Sequence, residues 1–162
     1  MAKDKEKDIK TNAMRILETL GISYEVITYE CDEFIDGVHL ADKLGQPQES
    51  TFKTLVAQGK SGGYFAFVIP VAEELDLKAA ARAVGEKAVE LIPVKDITKV
   101  TGYIRGGCTA IGMKKDYPTV IDETCVLFDK IMVSGGRIGS QMILTPDDYI
   151  KATKAKCLPI IF

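Results

Sequence analysis

Tryptophan is missing from the 162-residue chain, histidine occurs once, at His39, and the four cysteines stand far apart at Cys31, Cys108, Cys125 and Cys157. There is no Cys-x-x-Cys pair, and one imidazole cannot complete a ligand set, so neither a zinc site nor a disulfide scaffold is expected. Reduced thiols of this kind fit a cytoplasmic location. No apolar run reaches the roughly 20 residues of a membrane span. The opening MAKDKEKDIK is charged where a secretory leader would be apolar. Lysines and arginines number 21 against 23 acids, a net charge of −2. That balance argues against a broad nucleic-acid groove and against a DNA partner, and leaves room for a small local basic site. With His39 alone, no Ser–His–Asp or Cys–His constellation can form. Its place in a short amphipathic helix reads as a surface or half-buried histidine and not as a catalytic base. Neither the phosphate-binding loop nor the dinucleotide fingerprint occurs, so no nucleoside triphosphate, NAD or other cofactor is expected.

What is present is an ordinary globular composition, with 46% hydrophobic and 27% charged residues, long enough for one domain with a sizeable core. We read residues 1–162 as that single domain and residues 1–7 as a solvated tail. The most informative stretch is TFKTLVAQGKSGGYFAFVIP, residues 51–70, which reads as two strands joined by a Gly-rich turn. In the first strand Phe52, Thr54 and Val56 alternate with Lys53, Leu55 and Ala57. Lys53 thus shares a face with residues that belong in a dry environment. A lysine placed there is either an edge-strand charge that discourages aggregation, or a cation that reaches water or meets an anion. Around the hairpin, helices are expected over residues 8–20, 38–44 and 77–84, a helical turn capped by Asp96 over 96–100, and a last helix from Thr145 and Pro146 to about residue 155. Strands are expected over 24–29, 89–92, 119–121, 126–128, 130–133 and 141–144, an acidic loop over 31–37, and an apolar tail from 156 to 162 lying against the body. Without a regular alternation of strand and helix, the class is α+β: a mixed, curved, barrel-like sheet flanked by helices.

Three segments stand out: residues 51–54, the loop YIRGGCTAIGMKK at 103–115, and the turn SGGRIG at 134–139. Glycine pairs let a backbone approach a ligand and present successive N–H groups to an oxygen anion. For Gly135–Gly136, between two strands, a tight turn suffices. Gly106–Gly107, preceded by Arg105 and followed by Cys108 and Thr109, fit a loop that holds a carbonyl as it becomes an oxyanion. Nothing supplies Cys108 with a base, so it reads as a small residue lining a turn. Asp147 and Asp148 suit the N-terminal dipole of the last helix.

Taken together, STFKTLV, TGYIRGGCTAIGMKK and VSGGRIG resemble the YbaK family, free-standing aminoacyl-tRNA deacylases related to the editing domain of bacterial prolyl-tRNA synthetases. The resemblance covers nearly the whole domain, with the motifs in order. It implies trans-editing of mischarged Cys-tRNA(Pro), with the aminoacyl-tRNA 3′ end as partner, prolyl-tRNA synthetase as a further one, and no membrane. By position, it makes Lys53 the residue that holds the terminal adenosine, assisted by Thr54, and makes Tyr29 a wall of the pocket. Gly106 opens the loop that polarises the ester, with Gly107, Cys108 and Thr109 following, and Ser134 faces the same pocket. Two departures bear on amino-acid preference. Ala110 stands where the family loop has proline, and Asp36 where many members carry an aromatic, with Phe34 nearby. A site without its own nucleophile fits attack by the substrate's own thiol on its ester. The alternatives are a deacylase for Ala-tRNA(Pro) or another small aminoacyl-tRNA using a bound water, and a non-catalytic module that binds a tRNA end or a synthetase.

Overall fold

The computed structural model describes residues 10–30 and 35–162. The expected tail at 1–7, the start of the first expected helix, and most of the expected acidic loop, with Cys31 and Phe34, lie outside the described residues.

Helix α1 (Asn12–Thr19) begins where the Thr11 hydroxyl accepts from Met14 N, and it buries Ala13, Met14 and Leu17 on one stripe. Strand β1 (Glu25–Thr28) follows, then α2 (Gly37–Leu44), capped by the Asp36 carboxylate. The hairpin forms as expected from β2 (Phe52–Gly59) and β3 (Tyr64–Pro70), in register from Phe52 opposite Pro70 to Gln58 opposite Tyr64. Next come α3 (Leu77–Val84), capped by Asp76, β4 (Val89–Leu91), α4 (Ile97–Thr101) and β5 (Thr119–Asp122). The chain closes with β6 (Ile131–Ser134), β7 (Ser140–Leu144), α5 (Pro146–Thr153) with Thr145 as cap, and β8 (Lys156–Leu158).

The architecture is α+β with mixed pairing. One sheet runs β4-β2-β3-β5-β8, antiparallel from β4 to β3 and parallel from β3 to β8; a second, β1-β7-β6, is antiparallel. Neither closes on itself, and an isolated parallel bridge between Thr51 and Met132 joins them. The large sheet is buried on both faces. On one, Phe67, Ile69 and Ala57 pack with Ala80 and Ala81 of α3; on the other, Phe52, Val68 and Ile121 pack with Leu17, Met142 and Tyr149. This two-sided burial is why Phe65–Ile69 reads as an unbroken apolar run.

Two local expectations change and a third holds. Residues 126–128 are not a strand: Val126 and Leu127, both exposed, close the 3-10 turn Glu123–Leu127, and Phe128 follows it in extended backbone. Asp96 makes no side-chain cap; it ends the 3-10 turn Val94–Asp96, which runs straight into α4. The apolar tail does lie against the body, as strand β8 beside β5 and through a bridge from Ile161 to Leu75. Asp122 organises this corner. Buried at 1% exposure, its carboxylate accepts from Thr124 N and Oγ1 at 3.1 and 2.7 Å and from Ile160 N at 3.0 Å. The first two bonds turn the chain out of β5, which is why Val126 never becomes a strand, and the third seats the tail.

Removing that carboxylate orphans the buried Ile160 N and the part-buried donors of Thr124, a buried donor costing about 1–3 kcal/mol. Asp122→Ala is expected to lose about 2–4 kcal/mol in urea unfolding. A loss below about 0.5 kcal/mol, the scale of an ordinary surface change, would show that the tail is seated by packing alone.

Candidate active site

Gln58 faces Glu90 across the β2–β4 ladder, and Ile92 N donates to Val56 O at 3.0 Å. In an antiparallel ladder both backbone groups of a residue point to the same neighbour. Even-numbered positions of β2 therefore turn toward β4 and odd-numbered ones toward β3. β4 stops there, so Thr54 turns its N–H and C=O to an edge with no strand opposite, between the β4 pairing and the bridge at Thr51. A cavity of about 540 Å³ wraps this open edge.

Lys53 and Leu55 line the cavity from the α3 face of the sheet, Phe52, Thr54 and Val56 from the other. Facing them are Arg105, Gly106 and Cys108 from the loop after α4, and Ser134 and Gln141 from the small sheet. The Lys53 side chain is half-buried and makes no salt bridge among the described residues. Desolvation pushes its pKa below the ordinary lysine value, partly opposed by the charges of Glu74 and Asp36. An ammonium in a partly dry wall, attracted by carboxylates that do not touch it, is a site prepared for an anion.

The Gly106–Gly107 pair is needed by the backbone. Gly106 has φ of 87°, a left-handed value that favours glycine. A Cβ on Gly107 would stand 2.7 Å from Arg137 Cα, so the loop packs directly on the 134–139 turn. Gly107 N donates to Ile104 O at 2.9 Å, while the amides of Gly106 and Cys108 have no hydrogen-bond partner among the described residues. Such amides, on residues that line a cavity, are the groups an oxyanion needs.

Burial raises the Cys108 pKa to about 11, with the nearby Thr101 hydroxyl opposing it, so the thiol stays protonated near neutrality. The imidazole of His39 is exposed and engaged elsewhere: Nδ1 lies 2.6 Å from Asp36 Oδ2, and this bond raises its pKa. The cavity's described walls thus contain no nucleophile paired with a base. Beneath Thr54, the Tyr149 side chain is fully buried, its hydroxyl beside those of Thr54 and Thr109 without reaching hydrogen-bonding geometry with either.

Of the eight residues singled out from the sequence, Lys53, Thr54, Gly106, Cys108 and Ser134 line the cavity. Gly107 and Thr109 are buried and do not line it. Tyr29 is not a lining residue: its N donates to Gly139 O at 2.9 Å and its ring lies under Lys43 Nζ, 5.6 Å from the centroid. Ala110 packs in the core with Tyr149 and Ile111 and not on the cavity, so the departure at this position acts through the loop backbone. Among the lining residues that the sequence does not mark as site residues are Asp36 and Gln141. Asp36 was read only as a departure, and Gln141 only as the start of a strand. Gln141 is 4% exposed; a polar residue at the inward phase of an otherwise apolar strand was the available signal. Among the described residues, no three His, Cys, Asp or Glu gather as a metal site, and no helix is long and apolar enough to cross a membrane.

Comparison with known proteins gives the same class. Residues 37–152 match the family model of the aminoacyl-tRNA editing domain. The chain is 41% identical over 157 residues to an Enterococcus faecalis protein provisionally named Cys-tRNA(Pro)/Cys-tRNA(Cys) deacylase EbsC, covering 96% of this chain and 95% of that one. Among solved structures, one titled provisionally as a trans-editing enzyme for prolyl tRNA synthetase superposes with a TM-score of 0.82 at 23% identity, over 96% of this chain and 99% of the other. A scaffold protein from epitope backbone grafting by computational design matches with a TM-score of 0.81 at 23% identity, over 95% and 99%. The two structures speak for the fold. The chain belongs to the aminoacyl-tRNA editing domain family, of the YbaK type that its motifs resemble.

The raised thiol pKa has a direct consequence. At pH 8 Cys108 should alkylate with iodoacetamide far more slowly than an ordinary exposed cysteine, with the rate still climbing toward pH 11, as read by peptide mass spectrometry. Rapid labelling that levels off near pH 7 would restore Cys108 as a nucleophile.

Proposed function

We propose that this protein is a trans-editing deacylase that cleaves the aminoacyl ester of mischarged Cys-tRNA(Pro), with the substrate's thiol as nucleophile. The reading is carried by one observation: a cavity bordered by a desolvated lysine and by backbone amides with no partner among the described residues, with no nucleophile–base pair in its described walls. Membership of the editing family and the name of the enterococcal relative support the reaction class and substrate.

Lys53 meets the phosphate or ribose oxygens of the terminal adenosine. The open edge of β2 at Thr54 holds the aminoacyl group by backbone bonds, and the amides of Gly106 and Cys108 take the charge that develops on the carbonyl oxygen. The cysteinyl sulfur, as thiolate, forms a bond to its own carbonyl carbon. The ester C–O bond breaks, the ribose oxygen leaves and takes a proton, and the product is a cyclic thiolactone that water then opens to cysteine. Intramolecular attack in a held geometry reaches effective molarities on the order of 10⁵–10⁸ M, so orientation and charge stabilisation are enough. Prolyl-tRNA synthetase is the natural docking partner, since it generates the mischarged tRNA.

A charge-assisted bond from Lys53 is worth about 1.5–3 kcal/mol. Lys53→Ala should therefore slow deacylation by about one to two orders of magnitude without loss of fold, and Cys108→Ala should keep most of the activity. An unchanged rate for Lys53→Ala would return that residue to an edge-strand role.

The decisive panel compares Cys-, Ser-, Ala- and Pro-tRNA. A thiol of pKa about 8.5 is a few per cent ionised at neutral pH, whereas a serine hydroxyl is scarcely ionised, and pocket contacts separate such near-isosteres by only about a hundredfold. Cys-tRNA should be cleaved with a much larger preference, with transient thiolactone. Similar rates for Cys, Ser and Ala would make a bound water the nucleophile, and full retention of every label would leave a binding module.

A further inference from the structure

Charge is spread unevenly along this chain. From Lys95 to Asp116 five cations, Lys95, Lys99, Arg105, Lys114 and Lys115, face only Asp96 and Asp116, a balance of +3. The whole chain sums to −2, so everything outside that stretch carries −5. The fold then concentrates the cations further. Lys114 N donates to Thr101 O at 2.8 Å and the Tyr117 hydroxyl to Val100 O at 2.7 Å, which lays residues 114–117 along the last turn of α4. Lys99, Lys114 and Lys115 are brought to one region in this way. All three are exposed and none makes a salt bridge among the described residues.

The ridge adjoins the cavity through the same elements. α4 lends Ile97 to the cavity wall, and the loop joining α4 to Lys114 carries Arg105, Gly106 and Cys108. Leu91, Val94 and Ile104, exposed at 49, 52 and 51%, belong to this same part of the chain, and the first two line the cavity itself. An aliphatic lip beside a row of unpaired lysines suits a single strand whose sugars and bases lie on carbon while its phosphates lie on ammonium groups. Scattered surface lysines ordinarily serve solubility. These differ in being gathered on α4 and the segment that follows the 105–108 loop, elements that also wall the cavity, on a chain that is otherwise acidic, so that a polyanion is attracted here and repelled elsewhere.

We propose that Lys99, Lys114 and Lys115 form a phosphate-binding ridge that carries the acceptor strand of a tRNA as it leaves the cavity. The inference rests on the reading of that cavity as the seat of the aminoacyl end, and adds where the polynucleotide beyond it runs.

The test is binding of uncharged tRNA(Pro) transcript, followed by fluorescence anisotropy over a series of salt concentrations, to the wild type, to Lys99→Ala/Lys114→Ala/Lys115→Ala, and to Lys78→Ala/Lys130→Ala. Lys78 follows Asp76, whose amide bonds Ile160 O beside Asp122 at the end of β5 away from residues 114–118, and Lys130 lies before β6 at 3.8 Å from Glu25, so the double variant removes exposed charge from other parts of the surface. Each phosphate contact contributes about 0.7–0.9 to the slope of log affinity against log salt, so the triple variant should lose about 2–3 from that slope and bind about tenfold or more weakly. The double variant should match the wild type. Circular dichroism and thermal unfolding establish that all three chains are folded. Equal affinity and slope for the triple variant and wild type overturn the ridge, as does an equal loss in the double variant. Deacylation of Cys-tRNA(Pro), measured alongside, reports on the cavity independently. If the wild type does not deacylate, the catalytic reading fails, and the binding comparison still decides the ridge.

Discussion

Strand β2 is bonded to β3 along its whole length but to β4 only over Ala57–Gly59, and at its start a single bridge from Thr51 reaches the small sheet. Between those two attachments the peptide groups of Thr54 face open space. An unpaired strand edge is ordinarily a liability, since it invites another chain. Here it is flanked by the 105–108 loop and the ends of β6 and β7, which with the edge wall a cavity of about 540 Å³. The cavity is the unused pairing capacity of one strand, given walls.

That origin explains why the site needs so little chemistry of its own. An open edge offers a donor and an acceptor at fixed spacing, which in the proposed mechanism hold an aminoacyl group as a partner strand would be held. The glycine loop adds amides without side chains in the way, because Gly107 must press against the 134–139 turn. Lys53 adds one charge, kept partly dry by the sheet face it shares with Leu55. Burial that lowers its pKa also weakens its hydration, so an arriving phosphate or ribose oxygen has less water to displace.

Much of this was legible in the residues themselves. The hairpin and its register followed from the alternation at Phe52–Ala57 and the glycines at 59–63, and Lys53 stood out because its neighbours on that face are apolar. The caps at Asp76 and Thr145 placed two helices to within a residue or two. Other features depended on partners distant in the chain. Residues 126–128 have the apolar character of a strand, yet Val126 and Leu127 close an exposed turn because Asp122 bonds Thr124. The division of the strands into two sheets rests on where β6 leaves β2, which no local pattern encodes. Tyr29 was read toward the pocket, yet its backbone is held by Gly139 and its ring by Lys43. Gln141 shares the cavity with Ser134 only because β6 and β7 pair at those two residues.

The account stands on the open edge at Thr54 and the two loop amides receiving the aminoacyl end together. A non-hydrolysable cysteinyl-amide analogue of the terminal adenosine, titrated into ¹⁵N-labelled protein, addresses that claim directly. The backbone amides of Thr54, Gly106 and Cys108 should shift in concert and saturate at one ligand concentration. Saturable shifts confined to other parts of the chain, with these three amides unmoved, would place the aminoacyl group elsewhere and contradict the account.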